Sequence, residues 1–87
     1  MFFVALLKLK GKLTQAAVES MENSCKNPPP GIKYQNVFFT LGQYDFVIIF
    51  EAPDEKEAMK LTVSWVEFCE IQTMTAVPYK EALTLLK

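Results

Sequence analysis

Residues 2–9, FFVALLKL, are apolar without the three-to-four-residue spacing of a helix, so they read as a strand. Gly11 and Lys12 break the run. Thr14 then stands where a helix N-cap belongs, ahead of a helix over about 14–26. Leu13, Ala16, Ala17, Ser20, Met21 and Ser24 share one face of it. Most of those side chains are small, which predicts close packing against whatever the helix covers. Asn27-Pro28-Pro29-Pro30-Gly31 ends the helix, because proline lacks the amide proton and disfavours helix in the residue before it. Residues 32–40 alternate poorly but carry Ile32, Tyr34, Val37, Phe38 and Phe39, and they read as a second strand. Leu41-Gly42-Gln43-Tyr44 forms a tight hairpin in which Gly42 supplies a positive φ. Tyr44 to Glu51 is the third strand. Asp54 caps a second helix, with Glu57 completing a capping-box spacing and Ala58, Leu61, Trp65 and Phe68 along one face. A fourth strand covers about 69–76, and YKEALTLL at 79–86 is a short terminal helix whose apolar side is Ala82, Leu83, Leu85 and Leu86.

The order is β-α-β-β-α-β with a helical tail. It predicts a single α+β domain over 1–87 of the ferredoxin-like type, with a four-stranded antiparallel sheet and two helices on one face. Right-handed crossovers are expected to set the first and third strands side by side and parallel at its centre. Both faces of these strands are apolar at mid-strand. The third offers Tyr44, Phe46, Ile48 and Phe50 on one side and Asp45, Val47, Ile49 and Glu51 on the other. The first offers Phe2, Val4 and Leu6, then Phe3, Ala5, Leu7 and Leu9. Two helices cover one face only, and monomers rarely leave several hundred Å² of contiguous apolar surface in water. The expected cover is a second copy, giving a homodimer or higher oligomer through the helix-free face. The competing cover is the terminal helix folded back over it.

Composition sharpens this picture. At 87 residues the chain is one small domain, yet 51% of it is hydrophobic, more than one small core hides. All nine basic residues are lysines and the net charge is −1, which gives no electrostatic footprint for nucleic acid. Histidine is absent, which removes imidazole bases and imidazole metal ligands. Cys25 and Cys69 show no CxxC spacing and read as free thiols in a reducing compartment. MFFVALL lacks the basic flank and cleavage site of a signal peptide, and no segment has the length of a membrane span. A cytoplasmic protein with no membrane partner, metal or cofactor is the expectation.

The residues that carry chemistry are few. An RNA-recognition motif needs stacking aromatics on the third strand after basic and small residues, and Phe46-Val47-Ile48-Ile49-Phe50 instead follows Gln43 and Asp45. Polar groups able to point into a small-molecule pocket are Tyr34, Tyr44, Asp45, Glu51, Thr73 and Thr75. Lys8 is expected to meet Glu51 where the first and third strands end. Asp45 equally fits a turn residue that accepts from a nearby backbone N–H, and the Pro28-Pro29-Pro30 run fits a rigid connector. Trp65, at helical spacing, reads as core. No pair has the spacing of a known catalytic motif, so no catalytic residue is assigned and the leaning is away from an enzyme.

Leu41-Gly42-Gln43-Tyr44-Asp45, the apolar strand and Glu51-Ala52-Pro53-Asp54 resemble the GYD-domain family of small prokaryotic proteins. Thr73-Met74-Thr75-Ala76 resembles the Thr-x-Thr of that family's last strand, and the similarity runs over essentially the whole chain. The resemblance implies a ferredoxin-like fold of the dimeric α/β-barrel type and little about activity. The expected function is a small oligomeric domain that binds a small molecule in a regulatory or sensing role. The alternatives are a cofactor-independent oxygenase or isomerase of the dimeric-barrel class, with Glu51 or Asp45 as base, or a purely structural oligomer.

Overall fold

The computed structural model describes residues 1–86. Its elements are β1 (Phe2–Leu9), α1 (Gln15–Lys26), β2 (Lys33–Phe39), β3 (Phe46–Glu51), α2 (Glu55–Trp65), β4 (Cys69–Ala76) and α3 (Tyr79–Leu85). The local signals explain where they start and turn. Thr14 Oγ1 accepts from the Ala17 amide at 3.1 Å, and Asp54 Oδ1 accepts from the Glu57 amide at 2.8 Å. Each cap satisfies an amide that the first turn leaves unpaired. Glu57 turns its carboxylate to Lys60. Gly42 sits at φ 113°, a conformation that a side chain would strain.

The sheet order is β2-β3-β1-β4, and every neighbouring pair is antiparallel. The expected parallel pairing of the first and third strands is therefore corrected: Phe2 faces Glu51, and Leu7 faces Phe46. The crossover through α1 makes β1 and β2 the parallel pair. β3 returns by the hairpin and lies between them, so it runs against both. The order and the sheet class are those of a ferredoxin-like α+β fold.

Strand alternation decides the core. Phe3, Ala5 and Leu7 of β1 and Phe46, Ile48 and Phe50 of β3 are buried. They join Ala17 and Met21 of α1 and Ala58, Leu61 and Trp65 of α2 in one cluster, so both helices lie on the same side of the sheet. Burying a side chain such as Phe50 or Leu61 contributes about 1.5–3 kcal/mol. The Cα trace measures 49 × 30 × 17 Å, the thin axis matching one sheet and one helical layer.

Two expectations about α1 and α2 change, and the competing cover for the open face is not met. In α1 the side turned inward is Ala17 and Met21 with the half-buried Val18 and Ser24, whereas Leu13, Ala16 and Ser20 are exposed. Small and polar residues set the rotation of a helix only weakly, and the inserted Met21 decides it. The terminal helix α3 buries none of its residues and does not cover the helix-free face. Leu85 and Leu86 are 77% and 81% exposed. Phe68 lies just beyond α2, half-buried against the core.

β2 carries a bulge. Tyr34 faces Phe50 and the next paired residue, Asn36, faces Ile49, so Gln35 is the extra residue. The bulge explains the poor alternation over 32–40. Among the described residues no helix is long and apolar enough to cross a membrane.

Candidate functional site

The helix-free face is built from three paired rows. Cα partners share a face, so Val4 lies between Ile49 and Met74, and Leu6 lies between Val47 and Gln72. Phe38 extends the second row beyond Val47, and Phe2 with Ala76 begins the row beside Glu51. Phe2, Val4, Leu6, Val47 and Ile49 are half-buried, while Phe38 is 49% and Met74 40% exposed. Charge stands only at the strand ends: Lys33 beside Glu51 at one, Lys8 beside Glu70 at the other.

The seven candidate residues do not converge on one pocket. The predicted meeting of Lys8 with Glu51 is corrected by the strand direction. Lys8 lies opposite Glu70 at the far end of β1, and Glu51 lies opposite Phe2 and Lys33. Glu51 Oε2 accepts from Gln35 Nε2 at 2.6 Å on the helix-free face. Lys8 and Tyr44 do come together, in a recess of about 230 Å³ with Glu70 and Gln72, where the Tyr44 hydroxyl donates to Gln72 Oε1 at 3.0 Å. Thr73 and Thr75 line a separate groove of about 160 Å³ against α2, with the Thr73 and Thr62 hydroxyls 3.3 Å apart. Tyr34 is on the helical side, its hydroxyl 3.0 Å from Ser24 Oγ, tying β2 to α1.

Asp45 is a latch. Its Oδ2 accepts from the Leu9 amide at 2.8 Å, its own amide donates to the Leu7 carbonyl at 2.8 Å, and its carbonyl accepts from the Thr40 amide at 2.9 Å. The carboxylate thus continues the β1–β3 ladder past its last residue pair and fixes the hairpin to the first strand. The turn-residue expectation is met, although the amide it binds belongs to β1 and not to the turn.

A further cleft escaped the sequence reading. About 320 Å³ lies between α1 and β2, lined by Val18, Met21, Glu22, Cys25 and Lys26 on α1, Val37 and Phe39 on β2, and Phe46 and Trp65 beneath. The sequence signal was there: residues 18, 21, 22 and 25 form a stripe at helical spacing, one step round from the stripe of small residues. Trp65 is core, as expected, at 3% exposure, but its buried Nε1 has no hydrogen-bond partner among the described residues. Leaving a buried donor unpaired costs about 1–3 kcal/mol. Phe39 stands 80% exposed and rests on Phe46, with ring centroids 4.7 Å apart, and Phe46 continues to Trp65 at 6.3 Å.

The chemistry available is limited. Burial pushes the Cys25 thiol above its ordinary pKa, which lowers its thiolate fraction. Burial also raises Cys69, reinforced by the Asp45 charge and partly opposed by Lys10. Among the described residues no three of His, Cys, Asp and Glu group closely enough to hold a metal ion.

The hairpin, the latch carboxylate that follows it and the strand leading to a capped helix run through the region in which a family model, the GYD domain, matches residues 4–86. The chain belongs to the GYD-domain family. No curated protein matches it. In this GYD domain, the Gly-x-Tyr-Asp segment makes the turn at Gly42, the Tyr44–Gln72 bond to β4 and the Asp45 bond to β1. Gly42 thus makes the turn, Asp45 ties the hairpin to the adjacent β1, and Tyr44 reaches across to β4.

Proposed function

We propose that this GYD domain works as a homo-oligomer, joined through the helix-free face of its sheet, that binds a small molecule in a regulatory or sensing role. The observation that carries the reading is the pattern of that face. Its middle rows are apolar on β1 and β3, with the neutral Asn36 and Gln72 on the flanking strands, and its charges stand only at the strand ends. A protein interface has the same anatomy, an apolar centre inside a polar rim. α3 leaves the face open. A second copy meets it with an identical surface, which is what a two-fold interface requires.

Binding rather than catalysis is supported by the scatter of the candidate polar groups. The groups a catalytic reading would need as its base are Glu51, half-buried on the face to be shared, or Asp45, whose carboxylate already accepts from the Leu9 amide. The test is Ile49→Lys, which puts a charge in the centre of the face. Sedimentation velocity is expected to show an oligomer for the unaltered chain and a folded monomer for the variant. An unaltered chain that sediments as a monomer at micromolar concentration overturns the proposal.

A further inference from the structure

We propose that α3 serves the second copy rather than its own chain: its apolar stripe packs on the outer part of that copy's helix-free face, and the second copy's α3 returns the contact. The inference rests on the homo-oligomer proposed above and names the segment that completes its interface. A two-fold assembly makes the exchange reciprocal, so each face receives one arm.

α3 is ill suited to a lone chain. It has seven residues, and Pro78 at its start gives no side-chain cap. Helices shorter than about 12–15 residues are marginal in water unless a packed face holds them. α3 buries none of its residues. It is nevertheless amphipathic. Tyr79, Leu83 and the C-cap residue Leu86 recur at helical spacing, whereas Lys80, Glu81 and Thr84 fall on the other side. The α3 residues that border its own sheet are Glu81, Thr84 and Leu85, across a recess of about 480 Å³ from Met1, Phe2 and Thr75. Tyr79, Leu83 and Leu86 are not part of that lining and are 75%, 38% and 81% exposed. A helix that keeps its polar residues beside its own chain and its apolar stripe in water has its packing surface elsewhere.

Position and area say where. Phe2 lines the recess and also begins the open-face row beside Glu51, so the surface of α3 is continuous with the helix-free face. A chain docked on that face lies beside the arm. A stable interface takes about 800 Å² from each partner. A Val, Leu or Ile side chain holds roughly 60–120 Å² of apolar surface. Phe2, Val4, Leu6, Val47 and Ile49 are already partly covered, and Phe38 and Met74 are 49% and 40% exposed. The face alone therefore supplies roughly 300–400 Å², about half of what is needed. The stripe, together with Val77 and Leu85, adds roughly as much again. Phe38 and Met74 stand on the outer strands β2 and β4, where the second copy's arm finds apolar surface still uncovered.

The test uses the full chain and two readouts. Tyr79→Ser combined with Leu86→Ser removes the stripe at two exposed positions. Sedimentation velocity over a concentration series is expected to show a dissociation constant raised at least about tenfold. Urea unfolding in an Ile49→Lys background, where the chain is single, is expected to be unchanged by the same two substitutions. The second readout locates the contact. In a sample mixed from ¹³C-labelled and unlabelled chains, isotope-filtered nuclear Overhauser spectra are expected to connect the Leu83 and Leu86 methyls of one copy to the Phe38 ring or the Met74 methyl of the other. An unchanged dissociation constant, or contacts of these methyls within their own chain only, overturns the arm and leaves the oligomer standing. A stability loss in the single chain as large as the loss of association assigns α3 to its own fold and also overturns the arm. An unaltered chain that is monomeric overturns the oligomer and the arm with it.

Discussion

The two faces of the sheet carry nearly the same kind of residue and reach different ends. On the covered face Phe3, Ala5, Leu7, Phe46, Ile48 and Phe50 are almost fully removed from water. On the open face Phe2, Val4, Leu6, Val47 and Ile49 keep part of their surface in water. Ile48 and Ile49 are adjacent in the chain, identical in chemistry and opposite in environment. Composition therefore cannot tell the core face from the open face in this protein. The layer placed above each face does that, and the chain supplies helices for one face only.

The comparison breaks most visibly at those two isoleucines. Ile48→Ala leaves a cavity in packed surroundings and is expected to cost about 2–5 kcal/mol in urea unfolding. Ile49→Ala is expected to cost less in the dissociated chain, about 1–2 kcal/mol, because part of its surface is already wet. Under the proposed oligomer its main effect belongs in the dissociation constant. If both substitutions cost the same in the isolated chain, the two faces do not differ as described.

The next largest effect concerns the join between the faces' central strands. Asp45→Ala removes the acceptor of the Leu9 amide and is expected to destabilise the domain by about 1.5–3 kcal/mol, the worth of a hydrogen bond to a charged group. Asp45→Asn keeps an acceptor oxygen and is expected to cost less. Chemical denaturation of the pair orders them. A smaller loss follows at the helical layer: Asp54→Ala removes the α2 cap and is expected to cost about 1 kcal/mol.

The thiols give the smallest and gentlest probe. Both are raised by burial, so the folded state favours the protonated form. That stability is full below the ordinary thiol value and falls as pH rises through the raised one. Cys25 alkylation is expected to lag a free cysteine near neutrality and to catch up at alkaline pH. Cys69, fully buried beneath the helices, is expected to react only on unfolding. Rates measured by mass spectrometry across that range check both.

Much of this architecture is legible along the chain, and the failures have physical causes. Thr14, Gly42 and Asp54 act through neighbours three residues away or fewer, so their roles survive without knowledge of the fold. Strand alternation correctly separates Phe46, Ile48 and Phe50 from Val47, Ile49 and Glu51. A period of two is blind to direction, however. It tells which residues share a face and not which end meets which, so it does not separate a Lys8–Glu51 meeting from the Lys8–Glu70 pairing of the fold. The rotation of α1 is not legible in the sequence, because Leu13, Ala16 and Ser20 define no strong apolar stripe. The α1–β2 cleft is a space between elements distant in sequence. Trp65 announces its burial through helical spacing, but the lack of an acceptor for its N–H belongs to the surroundings that the fold assembles.

The central claim is that the uncovered apolar face is covered by a second copy. Native mass spectrometry of the full chain, gently purified and sprayed at low micromolar concentration, measures this directly. A dimer or a higher multiple that Ile49→Lys reduces to single chains is the expected result. A single chain in the unaltered protein, with Ile49→Lys indistinguishable from it, would contradict the claim.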